Sequence, residues 1–109
     1  MAKGIYKQAG VTIDYTNSGA TTVAYGDVVV LEDCVGVASS NIAVGALGAV
    51  EIEGVYELPA ATDALALGER VYWDATNGNV TASATNNTPC GITVAAKAAG
   101  ATKVDVKIG

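Results

Sequence analysis

The chain has 109 residues, half of them hydrophobic, and a net charge of −5 from eleven acidic and six basic side chains. A chain of this length predicts one domain. Its basic residues are not clustered as in a nucleic-acid-binding surface, and no apolar run reaches the about 18–20 residues that span a membrane. Phenylalanine is absent, and five tyrosines and one tryptophan supply all the aromatic surface. We therefore expect a thin core that association between subunits completes.

The amino terminus lacks the charged-then-apolar pattern of a signal peptide, which predicts that the chain is made and kept in the cytoplasm. Two cysteines, Cys34 and Cys90, are far apart in the sequence. In a reducing compartment we expect both to be free buried thiols, with a disulfide as the less favoured alternative.

Six segments show the alternation of apolar and polar residues, or the β-branched enrichment, that is typical of strands. In chain order they are residues 11–15, 27–32, 49–55, 70–74, 92–95 and 103–108. About seven short strands predict an all-β fold, a small single-domain barrel or sandwich. We expect residues 1–10 to form an N-terminal arm or a first strand, and residues 11–109 to form the β domain.

The stretches between the predicted strands contain little helix. Residues 59–67 permit one short helical turn, which Thr62 would cap and Gly68 would end. Asn77-Gly78 lies between two apolar runs and predicts a hairpin. The polar stretch at residues 81–88 is compatible with a strand or a loop.

A weak internal repeat relates the two halves of the chain. Each half has a strand-like run after a glycine, then a second and a third glycine at the same interval, then an alternating strand. Duplication and chance similarity are both open, and duplication would give a pseudo-symmetric barrel. The matching positions are Gly26, Gly36, Gly45 and Val50 in the first half, and Gly68, Gly91, Gly100 and Val104 in the second.

Most catalytic constellations are missing from the sequence. Without histidine there is no base for a nucleophilic triad and no usual zinc ligand set, and no phosphate-binding Gly-Lys-Ser/Thr is present. Glu51, Glu53 and Glu57 lie near one another in sequence, and a pair of acids is what glycoside hydrolysis needs. Because Glu51 and Glu53 fall at polar positions of an alternating strand, we expect them on a solvated face. If that strand pairs with the last one, cross-strand contacts with Lys103 and Lys107 follow. We predict a protein that is not an enzyme and has no cofactor or metal.

Two adjacent aromatic residues, Tyr72 and Trp73, fall within one predicted strand, so their side chains should point to opposite faces. We expect one of them in the core and the other on the surface or at a contact between subunits.

The motifs Gly54-Val-Tyr-Glu-Leu-Pro59, Gly68-Glu-Arg-Val-Tyr-Trp-Asp74, Gly78-Asn-Val-Thr81 and Cys90-Gly-Ile92 resemble a phage family across almost the full chain. This family is a domain of formerly unknown function (DUF2190), now labelled capsid cement or decoration protein. An older label of RecA/RadA-like recombinase conflicts with the absence of a phosphate loop. The resemblance implies a small β-rich protein on the outer surface of a phage capsid, in the virion, that stabilises the capsid.

The resemblance also implies partners. These are the phage major capsid protein and other copies of the chain, most often as a trimer, with no nucleic acid and no membrane. The arm, with Ile5 and Tyr6, would order on the capsid by adding a strand to a sheet edge, although an ordinary first strand is the alternative. With Tyr72 and Trp73, these are the candidate interface residues. A β-rich module for carbohydrate or host-surface adhesion, and another head or tail component, are alternative functions.

Overall fold

The alternating segments of the sequence form antiparallel strands in a computed structural model that describes residues 2–6 and 10–109. These described residues contain no helix, and the all-β prediction is confirmed. The nine strands are β1 (Thr12–Thr16), β2 (Val28–Val30), β3 (Val35–Ala38), β4 (Leu47–Glu51), β5 (Gly54–Pro59), β6 (Arg70–Asp74), β7 (Asn79–Thr81), β8 (Thr88–Thr93) and β9 (Lys103–Ile108).

The structure departs from the predicted elements in several places. The sequence pattern did not predict β3, and β8 spans Thr88–Thr93 where residues 92–95 were predicted. The run at 49–55 is two strands, because the chain leaves β4 after Glu51 and enters β5 at Gly54, which has a φ of 121° that side chains disfavour. Residues 59–67 form no helical turn. The backbone of Leu65 instead exchanges hydrogen bonds with Lys97, at N–O distances of 2.9 and 2.8 Å, so the groups that a helix would use are already paired.

The strands form two sheets with the orders β1-β4-β3-β2 and β5-β9-β8-β6-β7. The first four positions correspond one to one, so that β1 matches β5, β4 matches β9, β3 matches β8 and β2 matches β6. This common order confirms the internal repeat. We call residues 11–53 the first unit and residues 54–109 the second unit.

The same backbone hydrogen bonds recur in both units. Gly26 N donates to Ala38 O at 2.9 Å in the first unit, and Gly68 N donates to Thr93 O at 3.0 Å in the second. Each unit also has one antiparallel bridge between its two long loops, Val23 with Ile42 and Leu65 with Lys97. The repeat therefore extends from strand order to individual bonds in the loops.

The units differ at the hairpin that the Asn-Gly pair predicted. It is present in the second unit, where β7 pairs with β6. Val80 of β7 also forms a parallel bridge with Ala60 at the end of β5, and Ala61 N donates to Val80 O at 2.8 Å. This contact brings the two edges of the second sheet together, as in a barrel. In the first unit residues 31–34 connect β2 directly to β3, and no strand corresponds to β7.

Two hydrophobic clusters fill the molecule, and β3 contributes to both because all four of its residues are buried. Val35 and Val37 pack with the core of the second unit, while Ala38 packs in the first. The units are thus joined through a strand with two apolar faces. The buried residues of the larger cluster are Val35, Val37, Leu58, Ala60, Leu65, Val71, Trp73, Val80, Cys90, Val104, Val106 and Ile108, and those of the smaller are Val29, Ala38, Ile42 and Val50.

Candidate interaction surfaces

The N-terminal arm is described at residues 2–6, all of which are exposed. The side chains of Ile5 and Tyr6 are 78% and 84% exposed. Met1 and residues 7–9 of the predicted arm lie outside the described residues. Two large apolar side chains on an exposed segment are typical of a contact site for another chain.

Tyr72 and Trp73 point to opposite faces of β6, as their spacing requires. Trp73 is 8% exposed and packs in the larger cluster beside Val71 and Val80. Tyr72 is half-buried and is the member of the pair that reaches the surface. Trp73 therefore offers no exposed aromatic face on which a sugar could stack.

A cleft of about 410 Å³ lies between the two units and has aromatic and acidic walls. Tyr25 and Glu51 come from the first unit, and Tyr56 and Glu57 come from the second. Burial, and then the negative charge of Glu51, raise the pKa of Tyr56 above its ordinary value. The Tyr56 hydroxyl is thus protonated at neutral pH. Two aromatic rings beside two carboxylates form a lining that suits a cationic side chain.

Two of the three acids that the sequence suggested, Glu51 and Glu57, thus line one cleft, whereas Glu53 is exposed and does not line it. The side chain of Glu51 accepts a hydrogen bond from Thr12 Oγ1 at 2.7 Å. The strand that carries Glu51 pairs with β1 and β3 and not with the last strand, so the condition for acid–base contacts with Lys103 and Lys107 is not met. It is β5 that pairs with β9, and Glu57 lies opposite Asp105, a like-charged neighbour on an exposed face.

Four equivalent turns carry exposed side chains at their tips. Each turn has an alanine, one variable residue and a glycine with positive φ, and the sequence shows them as V-A-Y-G, I-A-V-G, L-A-L-G and K-A-A-G. The variable residues Tyr25, Val44 and Leu67 are 74%, 53% and 69% exposed. The sequence reasoning missed these residues, although the fourfold pattern was available to find them. Large apolar side chains on turn tips are candidates for contact with a partner.

The two cysteines are both free. Cys90 is buried, as expected, and burial raises the pKa of its thiol to about 11. Cys34 is exposed, so the expectation that it is buried is wrong. Its position in the short connection between β2 and β3 explains this, because such turns lie at the surface.

Groups of three or more metal-binding side chains do not occur among residues 2–6 and 10–109. The same part of the chain has no helix long and apolar enough to cross a membrane.

The comparisons with known proteins identify the family. Residues 7–108 match the phage cement protein family, and the chain therefore belongs to it. The match supports a structural role associated with the phage capsid. The first six residues, with Ile5 and Tyr6, lie outside the matched segment. No significant match was found among curated proteins or among solved structures.

Proposed function

We propose that this phage cement protein binds the outer surface of the capsid through contacts with the major capsid protein, associates with its own copies as a trimer, and acts without catalysis. The family match over residues 7–108 carries the proposal. A cement protein stabilises a shell by bridging neighbouring capsid subunits, so it needs a rigid fold and adhesive surfaces and no reactive group.

The described surface supplies such contacts. Tyr25 and Leu67 project from turn tips of the two units, and they are more than two-thirds exposed. Burial of a large apolar side chain contributes about 1.5–3 kcal/mol, so a few such contacts repeated over a capsid lattice provide strong adhesion. The overall extents of 42 × 42 × 22 Å describe a flat molecule with broad faces, which suits the coverage of a shell.

The cleft between the units adds a polar contact to these apolar ones. Glu51 and Glu57 with Tyr25 and Tyr56 form a pocket for a lysine or arginine side chain of the capsid protein. Such a contact gives specificity, because only a correctly placed cation neutralises the two carboxylates.

Mixing the purified protein with undecorated, expanded capsids tests the proposal. We expect the protein to sediment with the capsids at saturable stoichiometry and to appear on their outer surface by electron microscopy. Tyr25→Ser and Leu67→Ser should weaken binding, whereas Ser40→Ala, at an exposed polar position, should bind as the unmodified protein does. Absence of binding at about 100 µM would exclude this function, because such weak contacts do not hold a shell together.

The oligomeric state is tested separately by sedimentation equilibrium. A trimer has three times the chain mass of 10.9 kDa. A monomer at every concentration up to about 100 µM would refute association in solution, while capsid binding would be unaffected by that result.

A further inference from the structure

The repeat reveals a strand position that is filled in the second unit and open in the first. In the second unit β7 lies between β6 and the end of β5. The corresponding elements of the first unit are β2 and the end of β1, and a cleft of about 250 Å³ separates them. We call this cleft the seam, and its lining includes Tyr15, Asn17, residues 21–23 and residues 27–30. Within the described part of the chain, no strand pairs with the outer edge of β2.

The backbone of β2 is suited to accept an added strand. Ala38 N donates to Asp27 O at 2.9 Å, and Leu31 N donates to Cys34 O at 2.8 Å. Because bonded and non-bonded pairs alternate along an antiparallel ladder, the amide and carbonyl groups of Val28 and Val30 point away from β3 and toward the seam. A strand edge of this kind pairs readily with another extended segment.

The N-terminal arm has the properties of the missing segment. Its residues Gly4, Ile5 and Tyr6 are exposed, and the space around Gly4 is open, since a methyl group added there would meet nothing within 4 Å. Isoleucine and tyrosine are among the residues that strands favour. The five described residues of the arm are long enough to match β7, which has three.

Topology favours the arm of another molecule over the arm of the same chain. β7 runs antiparallel to β6, and its bridge to Ala60 at the end of β5 is parallel. A strand in the equivalent place would run parallel to the end of β1. An arm that folded back from the start of its own β1 would run antiparallel to β1, so it has the wrong direction for this position.

The charges of the two partners are complementary. The first ten residues contain Lys3 and Lys7 and no acid, whereas residues 11–69 contain nine carboxylates and no lysine or arginine. Asp27 lies at one end of β2, and Glu32 and Asp33 follow its other end. A basic arm is therefore attracted to an acidic receptor that carries no basic residue to repel it.

We propose that residues 2–6 of one copy insert as an added strand into the seam of a second copy, in the position that β7 occupies in the second unit. This inference rests on the self-association part of the proposed function and is independent of capsid binding. The contact is heterologous, so copies joined in this way form a ring when the rotation closes. In a trimeric ring every arm and every seam is used.

Two variants with a matched control test the proposal by sedimentation velocity over a range of concentrations. Deletion of residues 2–6 removes the donor, and Val30→Pro removes an amide that faces the seam without removing a bond to β3. Each is expected to raise the dissociation constant of the oligomer at least about tenfold, while Val30→Thr leaves it unchanged. Raising the salt from about 0.05 to about 0.5 M should weaken association of the full chain by screening the charges.

Cross-linking between molecules identifies the contact directly. A chain with Ile5→Cys and Cys34→Ser is mixed under oxidising conditions with a chain carrying Val30→Cys and Cys34→Ser. We expect a disulfide-linked heterodimer in excess of either homodimer, and no such product when the acceptor cysteine is placed by Ser40→Cys, at an exposed position outside the seam, in place of Val30→Cys. Circular dichroism confirms that each variant is folded.

Three results would overturn the proposal. The first is unchanged association after deletion of the arm, and the second is a chain that stays monomeric at about 100 µM. The third is intact self-association with loss of capsid binding in both variants, which would make a capsid segment the occupant of the seam. Arm-dependent association without any capsid binding would instead support the inference while refuting the proposed function.

Discussion

Gly91→Ala tests how closely the backbone of β8 approaches that of β9 in the second unit. Gly91 lies in β8 between β6 and β9, next to an irregularity in the β6–β8 register at which Val71 pairs with Gly91 and Tyr72 pairs with Pro89. A methyl group at this position would collide with the backbone carbonyl oxygen of Lys107, and it would lie 2.9 Å from the carbonyl carbon and 3.1 Å from Ile108 Cα. These atoms belong to a central strand, so they cannot move aside as the end of a flexible side chain can.

Two costs combine at this site. The φ of Gly91 is 150°, a conformation that residues with a side chain rarely adopt, and such backbone strain costs about 1–3 kcal/mol. Forcing an extra methyl group into packed structure costs about 1–3 kcal/mol more. We therefore expect Gly91→Ala to lower the free energy of unfolding by roughly 2–6 kcal/mol, a large share of the 5–15 kcal/mol that is typical of a domain.

Gly100→Ala is the matched control. Gly100 also has a positive φ, 88°, but nothing lies within 4 Å of an added methyl group. Gly100→Ala should therefore lower the free energy of unfolding by only about 1–2 kcal/mol, which is the cost of placing a side chain in the left-handed region.

Urea unfolding, followed by the fluorescence of the single tryptophan, Trp73, measures both variants at equal protein concentration. A loss for Gly91→Ala no greater than that for Gly100→Ala would contradict the close approach of β8 and β9.

Two further predictions concern titratable groups. At pH 8 iodoacetamide should modify the exposed Cys34 in the folded protein and Cys90 only after unfolding. The pKa of about 11 leaves roughly one Cys90 thiol in a thousand ionised at this pH. Equal rates of modification at the two cysteines, measured by mass spectrometry, would refute the burial of Cys90. Hydrogen bonds from the backbone and side chain of Asn77 lower the pKa of Asp74 below its ordinary value of 3.8. The ionised carboxylate therefore stabilises the hairpin fully above pH 3.8, and this stabilisation is lost as the pH falls through the lowered pKa of the folded state. Asp74→Asn should remove this dependence of hairpin stability on pH, which is measured as the rate of amide hydrogen exchange at Asn77 over a range of pH. The same pH profile in the variant and the unmodified protein would contradict the role of Asp74.

The sequence predicted those elements whose local signals agree with their tertiary surroundings. β9 alternates between buried and exposed residues along its whole length, and β6 does so over most of its own, so period-2 patterning predicts the bounds of both. The hairpin at Asn77-Gly78 was predicted for a related reason, since its turn chemistry is local.

The division between β4 and β5 was hidden because the apolar alternation continues through it. Val50 is buried in β4, and Ile52 packs against the same cluster although it lies beyond the end of the strand. Only Gly54, with its positive φ, marks the turn to the next sheet, and a lone glycine is too common in this chain to stand out.

Lys97 shows a second limit of sequence reasoning. It is 5% exposed and occupies the place that Ile42 has in the first unit, where a charged side chain is not expected. Its ammonium group donates to the carbonyl oxygens of Ala98 and Ala101, at 3.3 and 3.0 Å. The acceptors come from the turn that follows, so their geometry is known only once the turn has folded.

The candidate surfaces were predictable to different degrees. Opposite faces for Tyr72 and Trp73 follow from strand geometry, but which one is buried depends on the packing of the sheet. The cleft that contains Tyr25 and Tyr56 was not predictable, because its walls come from separate units and depend on how these pack together.

The repeat also explains why two units with the same backbone present different surfaces. All four basic residues beyond the arm lie in residues 70–109, which contain only two acids, whereas residues 11–69 are wholly acidic in their charged side chains. An inserted hairpin closes the sheet of the second unit, and its absence leaves the sheet of the first unit with an open seam. Since the open unit is acidic and the arm is basic, the polarity of the chain favours head-to-tail contact over contact between identical faces. Under the proposed arm contact, this polarity would drive association between copies through charge, which makes that association sensitive to salt in a way that burial of apolar surface alone is not.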